Sequence, residues 1–163
     1  MKKTILFLIL IYFSSFINIY CQANNASINP RVFLIGENDE NYADITKNYQ
    51  ESLLSISNDS MDVAYINWMW LMKDIEDYAK KVNYDVNGLK IWINVFWNKS
   101  GKIEVISYYP KPNCKNIEFE KFSLFLVEFM KNYKPRLKAK SNFSHYGSAK
   151  FPSYAEMYLS GDK

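Results

Sequence analysis

Leu89-Lys90-Ile91-Trp92-Ile93-Asn94-Val95-Phe96-Trp97, Asn98-Lys99-Ser100-Gly101 and Lys102-Ile103-Glu104-Val105-Ile106-Ser107-Tyr108-Tyr109 follow one another in the second half of the chain. In the first stretch Leu89, Ile91, Ile93, Val95 and Trp97 alternate with Lys90, Trp92, Asn94 and Phe96, the period of two that a strand requires. The second is a compact polar turn in which Gly101 can take the positive φ of a bulged hairpin. In the third, Ile103, Val105, Ser107 and Tyr109 alternate with Glu104, Ile106 and Tyr108, and Pro110 and Pro112 end the run because proline offers no ladder donor. The segment reads as a β-hairpin. Its pattern predicts Trp92 and Phe96 beside Ile106 and Tyr108 on one face, with Leu89, Ile91, Ile93 and Val95 on the other. An exposed face would be polar, and Lys90 and Asn94 only partly oblige, so something covers Trp92 and Phe96. The candidates are a third helix or terminal segment of the same chain, which would make these rings core, or another molecule.

Outward from the hairpin the period changes. Tyr42, Ile45, Tyr49, Leu53 and Ile56 recur at helical spacing and predict one amphipathic helix over 39–56, preceded by a short strand within 31–36. Asp59 or Ser60 caps a second helix, which carries a stripe of Ala64, Trp68, Leu71, Ile75, Tyr78 and Val82 and ends near Asn83. A third is predicted over 117–133, with Phe119, Phe122, Leu126, Phe129, Met130 and Tyr133 buried; Leu124, Phe125 and Val127 widen its apolar surface. Residues 142–147 suit an extended segment, and the alternation over 153–159 is weak enough for either a final strand or a helix, of which strand is the chosen reading. The expected fold is α+β: a small antiparallel sheet built on a central β-hairpin, packed with about three helices.

The chain opens Met1-Lys2-Lys3-Thr4, continues with an apolar run over 5–20, and presents Cys21-Gln22-Ala23. This is the layout of a secretory signal cleaved after Ala23, so residues 1–23 are expected to leave and 24–163 to form a single domain that is periplasmic or secreted. The alternatives are an uncleaved membrane anchor, weakened by Ser14, Ser15 and Asn18, and a lipoprotein modified at Cys21, for which Asn18, Ile19 and Tyr20 are poor neighbours. Loss of Lys2 and Lys3 turns 20 basic and 17 acidic residues into 18 and 17. A near-neutral mature domain argues against nucleic acid as partner and against a basic membrane-binding face. Cys114 would be the only cysteine left, which excludes an internal disulfide scaffold. Oligomeric state is not legible.

Chemistry is sparse. His145 is the single histidine, so any nucleophilic dyad must use it, with Cys114 as the conceivable partner; no Gly-x-Ser-x-Gly elbow and no Gly-rich phosphate loop occurs. Two such ligands are too few for zinc, and the acidic stretch over 37–41 lacks the glycine of a calcium loop, so neither metal nor cofactor is expected. The tryptophans invite ligand stacking. Trp68 and Trp97 lie on stripes assigned to the core, which leaves Trp70 and Trp92 as candidate binding residues, joined by Phe96 and Tyr108 from the second hairpin face. Sequons at Asn25, Asn58, Asn98 and Asn142 arise readily by chance in an Asn-rich chain.

From Ile91 to Val105 the segment Ile91-Trp92-Ile93-Asn94-Val95-Phe96-Trp97-Asn98-Lys99-Ser100-Gly101-Lys102-Ile103-Glu104-Val105 resembles the opening of TonB C-terminal-like domains of exported bacterial proteins. In that family a strand, a polar Gly turn, a second strand, a helix and a returning strand follow in order. This chain lacks the family's Pro-rich linker and has Phe151-Pro152-Ser153-Tyr154-Ala155-Glu156-Met157 where an apolar closing strand is expected. The resemblance implies a small protein-binding module without energy coupling; the leading reading is a non-enzymatic module that contacts an envelope or secreted protein through a sheet edge or aromatic face. The alternative is a small secreted hydrolase or inhibitor with a site near His145 and Cys114. The protein isolated from its host is expected to begin at Asn24; intact mass and N-terminal sequencing check this, and an uncleaved chain or a lipid on Cys21 contradicts it.

Overall fold

The computed structural model describes residues 30–37 and 39–161; the expected export signal over 1–23 and the sequon at Asn25 lie outside them. The strands are β1 (Val32–Leu34), β2 (Glu51–Ser52), β3 (Lys90–Trp97), β4 (Ile103–Pro110) and β5 (Phe143–Lys150). The helices are α1 (Asp39–Lys47), α2 (Leu53–Ile56), α3 (Met61–Lys81), α4 (Phe119–Asn132) and α5 (Ala155–Ser160). The fold is α+β, and no described helix is long and apolar enough to cross a membrane.

The strands form one sheet in the order β1-β4-β3-β5-β2. β3 pairs antiparallel with both β4 and β5, and the short edge strands add parallel, β1 to β4 and β2 to β5. The sheet is therefore mixed, where a purely antiparallel one was expected. The parallel partners come from the region before α3, whose chain direction is set by long-range docking.

The hairpin forms as its sequence demands. Asn98 Oδ1 accepts from the amides of Ser100 and Lys102 at 3.0 and 3.2 Å, and Gly101 takes φ +82°. A Cβ at Gly101 would sit 1.8 Å from the Leu137 carbonyl oxygen, so this glycine also admits the α4–β5 connection across the turn. Between Phe96↔Val105 and Trp97↔Ile103 the register slips, leaving Glu104 as the extra residue of a β-bulge. The pairing Ile93↔Tyr108, Val95↔Ile106 and Trp97↔Ile103 puts Ile106 and Tyr108 on the face of Ile93 and Val95. The expected grouping of Trp92 and Phe96 with Ile106 and Tyr108 is thus corrected: Trp92 pairs with Tyr109, Asn94 with Ser107, and Phe96 with Val105.

The first face carries the main core. Ile91, Ile93, Val95, Trp97, Ile103, Ile106, Tyr108, Phe143 and Ala149 are buried with the inward stripes of α3 and α4. Ser60 Oγ caps α3 by accepting from Val63 N at 3.3 Å, and Ala64, Trp68, Leu71 and Ile75 are buried as the spacing predicted, while Tyr78 is half-buried and Val82 exposed. Phe122, Leu126, Phe129 and Met130 of α4 are buried as expected, but Phe119 is exposed and Tyr133 half-buried; Phe125 joins the buried set, whereas Leu124 faces solvent. Tyr78 meets Phe125 and Phe129 at ring separations of 5.6 and 5.9 Å, tying the two helices together.

Two helix and strand expectations are overturned. The helix predicted over 39–56 is cut: α1 ends at Lys47, Glu51 and Ser52 pair with Phe143 and Ser144 of β5, and Ser52 caps the short α2. Main-chain pairing with the sheet outweighs the local helical period. The strand predicted over 153–159 is helix α5, held after the Glu76 carboxylate accepts from Ser153 N and Oγ at 2.5 and 2.9 Å.

The second face is covered along half its length, by an element the sequence did not nominate. Tyr42 and Ile45 of α1, with Tyr49 and Phe33, enclose Phe96; Tyr42 and Tyr49 meet its ring edge-on at 6.2 and 5.1 Å. Tyr49 donates to Glu104, so the bulge aims a carboxylate at the α1–β2 connection, and burial, then this bond and the carboxylate charge, hold the phenol well above its ordinary pKa. Phe96→Ala is expected to cost about 3–5 kcal/mol, as for a fully buried phenylalanine, and to speed amide exchange in α1. Urea unfolding and hydrogen exchange check both.

Candidate functional site

At the Lys90 end the second face is open. Trp92 is 38% exposed, Tyr109 52% and Tyr146 56%, so three rings from three adjacent strands share an uncovered surface. The alternation that buries Ile91 and Ile93 turns Trp92 outward, and the Trp92↔Tyr109 pairing sets Tyr109 beside it. Tyr146 stacks on Trp92 at 6.0 Å between ring centroids and 18° between planes. The Lys111 ammonium lies 4.0 Å above the Trp92 ring and donates to Ser148 Oγ at 2.9 Å, which fixes the indole from a second side.

Next to this platform, Asn94 and Ser107 form a directly opposed pair buried where the covered half begins. Asn94 Nδ2 donates to Tyr42 Oη at 2.8 Å, while Asn94 Oδ1 and Ser107 Oγ have no partner among the described residues. Each such atom costs about 1–3 kcal/mol, so the boundary between the two halves is a locally unfavourable place.

The platform adjoins an unfinished sheet edge. β2 pairs only with Phe143 and Ser144, and no other strand among the described residues lies on that side of β5. Phe151 N donates to Leu89 O, so antiparallel alternation turns the main-chain groups of Tyr146, Ser148 and Lys150 away from β3 toward the open side. Their side chains lie on the same face as Trp92. Edge and aromatic surface are therefore continuous. The opposite edge is occupied: β1 pairs with β4, and the Arg31 guanidinium donates to the carbonyls of Ile103 and Glu104.

Of the residues nominated from sequence, only Trp92 belongs to this surface. Phe96 is enclosed by α1, and Tyr108 is buried in the main core with its hydroxyl 2.9 Å from Ser123 Oγ. Trp70 is half-buried on α3 beneath the Arg136 guanidinium, 4.4 Å from its ring centre, and that arginine is held by Asp74 at 3.0 and 2.6 Å. Tyr109 and Tyr146 were not nominated. Tyr109 sits in the alternation class of Val105 and Ser107, and only the register of the hairpin reveals that this class is the one opposite Trp92; Tyr146 needs the β3–β5 pairing as well.

His145 and Cys114 are kept apart. Cys114 Sγ accepts from Lys90 N at 3.3 Å, while His145 pairs with Val95, roughly 16 Å of strand rise further along β3. His145 packs on Trp68 at 4.6 Å between rings, and a Cβ at Gly147 would approach that indole to 3.0 Å and His145 Nε2 to 3.1 Å. The imidazole is thus wedged under α3, and burial alone lowers its pKa.

Comparison with family models, curated proteins and solved structures gives no match for this chain.

The histidine sets a pH dependence. Its folded-state pKa lies below the unfolded value of about 6.5, so beneath that pH the unfolded chain takes up a proton that the folded one resists, and stability falls as pH drops. Urea midpoints are expected to fall from pH 7.5 to 5.5, and to fall less in His145→Gln; an equal loss in both would assign the dependence elsewhere.

Proposed function

We propose that this chain acts, after export, as a non-enzymatic protein-binding module of the bacterial cell envelope or secreted fraction, taking its partner along the β5 edge and the aromatic surface beside it. The observation that carries the reading is the continuity of the two: main-chain donors and acceptors of Tyr146, Ser148 and Lys150 face outward, and Trp92, Tyr109 and Tyr146 lie exposed alongside. An extended segment added here gains main-chain bonds from the edge and specificity from its alternate side chains on the rings. Aromatic side chains of this kind dominate the affinity of protein interfaces. The order of hairpin, helix and returning strand in β3, β4, α4 and β5 is the order implied by the resemblance to TonB C-terminal-like domains, and it supports carrying over their protein-binding role without energy coupling. The separation of Cys114 from His145 supports the binder over the hydrolase.

Trp92→Asp tests the reading. Because the ring is partly exposed, the variant is expected to fold, with a loss of about 1 kcal/mol, and to bind its partner at least about tenfold more weakly. Thermal melts and crosslinking in the host envelope fraction, with Val63→Asp on the exposed side of α3 as control, check this. Unchanged crosslinking by Trp92→Asp would remove this face from consideration.

A further inference from the structure

The open half of the second face is cationic as well as aromatic. Lys90 and Lys150 are directly opposed across β3 and β5, on the same face as Trp92, and Lys111 reaches across β3 to Ser148. Like charges directly opposed on neighbouring strands destabilise a sheet. Among the described residues, no ion pair relieves them: the carboxylates paired with lysine or arginine are those of Asp44, Asp74, Asp77, Glu118, Glu128 and Glu156, and none of these pairs includes Lys90, Lys111 or Lys150. The near-neutral balance of the mature domain thus hides a local excess of three positive charges around one tryptophan.

We infer that the partner segment is acidic: an extended peptide with carboxylates at alternate positions, added to the β5 edge, whose acid side chains meet Lys90, Lys111 and Lys150 while an apolar residue rests on the Trp92–Tyr146 pair. This rests on the binding reading above and specifies its partner. The geometry matches in three respects. An added strand lies about 4.8 Å beyond β5, and its alternate side chains fall on the face that carries Lys150, Ser148 and Tyr146. The Lys111 ammonium is already held over β5 by Ser148, within reach of a carboxylate on the next strand. The main-chain groups of the edge are complementary to another strand, which a glycan chain or a lipid headgroup is not. A carboxylate on the added strand lies one strand from Lys150 and two from Lys90, so it neutralises Lys150 directly and binding relieves the repulsion between this opposed pair.

The test uses residues 24–163 and two fluorescein-labelled ten-residue peptides, one with Glu alternating with Val and Thr around a single Phe, the other with every Glu replaced by Gln. The Glu peptide is expected to bind with an affinity that falls steeply with added salt, and the Gln peptide at least about tenfold more weakly. The Lys90→Gln/Lys111→Gln/Lys150→Gln variant should erase that difference. Ser148→Pro, which removes an outward amide and no ladder bond, should abolish binding of both peptides, and amide shifts of Tyr146, Ser148 and Lys150 on titration report the edge directly if that variant folds poorly. Lys150→Glu is expected to melt above the wild type while losing the Glu peptide. Equal binding of the two peptides, with Ser148→Pro and Trp92→Asp still blocking both, would overturn the acidic partner and leave the binding surface standing. Binding of the Glu peptide that survives Ser148→Pro and Trp92→Asp would overturn the surface itself. Failure of the Glu peptide to bind, or lysine-dependent capture of polygalacturonate or phosphatidylglycerol vesicles that ignores Ser148→Pro, would overturn the peptide as occupant.

Discussion

β3 is the constraint on which the rest of the molecule depends. Among the described residues it is the only strand with a full antiparallel ladder on both sides, and its inward residues Ile91, Ile93, Val95 and Trp97 are essentially inaccessible to water. Because its side chains alternate with a period of two, fixing those four inward fixes Trp92, Asn94 and Phe96 outward. The second face is therefore a consequence of the first. What remains for the fold to decide is how far along that face to bring cover.

The cover stops halfway, and the stop has a chemical signature. α1 and Tyr49 close over Phe96, and the Glu104 bulge supplies the carboxylate that anchors Tyr49. Beyond Tyr42, whose hydroxyl takes the last bond from Asn94, no helix or strand among the described residues covers Trp92, Tyr109 or Tyr146, and only the Lys111 side chain crosses the Trp92 ring. Of the three buried side-chain polar atoms without a partner among the described residues, the two on Asn94 and Ser107 mark that line, and the third is Ser57 Oγ. A fold optimised for stability alone would place apolar side chains there and an acid among Lys90, Lys111 and Lys150. Local departures from favourable packing and charge pairing concentrate where a surface has another task.

The two edges of the sheet are treated differently. β4 is shielded by β1 and by the Arg31 side chain, which spends its donors on the carbonyls of Ile103 and Glu104. Among the described residues β5 receives only the two residues of β2 and is left open from Tyr146 onward, with lysine at its end. Charge on an edge strand discourages indiscriminate pairing between sheets. Under the proposed binding role the same charge would make the open edge selective, since basic strands would meet lysines while acidic ones would find counterions.

The sequence by itself determined the elements whose signals are local. The alternation in β3 and β4, the Asn98 to Gly101 turn, the Ser60 cap with its α3 stripe and the α4 stripe through Phe122, Leu126 and Phe129 are patterns within a few residues, and the backbone adopts them as written. Trp92 was legible as a ring left over by the burial pattern. Tertiary structure alone decided the rest. Which alternation class of β4 faces Trp92 depends on register and on a bulge at Glu104, so Tyr108 went to the core and Tyr109 to the surface. The helical period over 39–56 lost to pairing of Glu51 and Ser52 with β5, and the weak alternation after Ser153 lost to its capture by Glu76. The gathering of Lys90, Lys111, Lys150 and Tyr146 around one indole joins residues up to 60 positions apart in the chain. Spacing along a sequence records the period of a strand or helix, whereas the choice of neighbour is made by contacts between segments that carry no mark of one another.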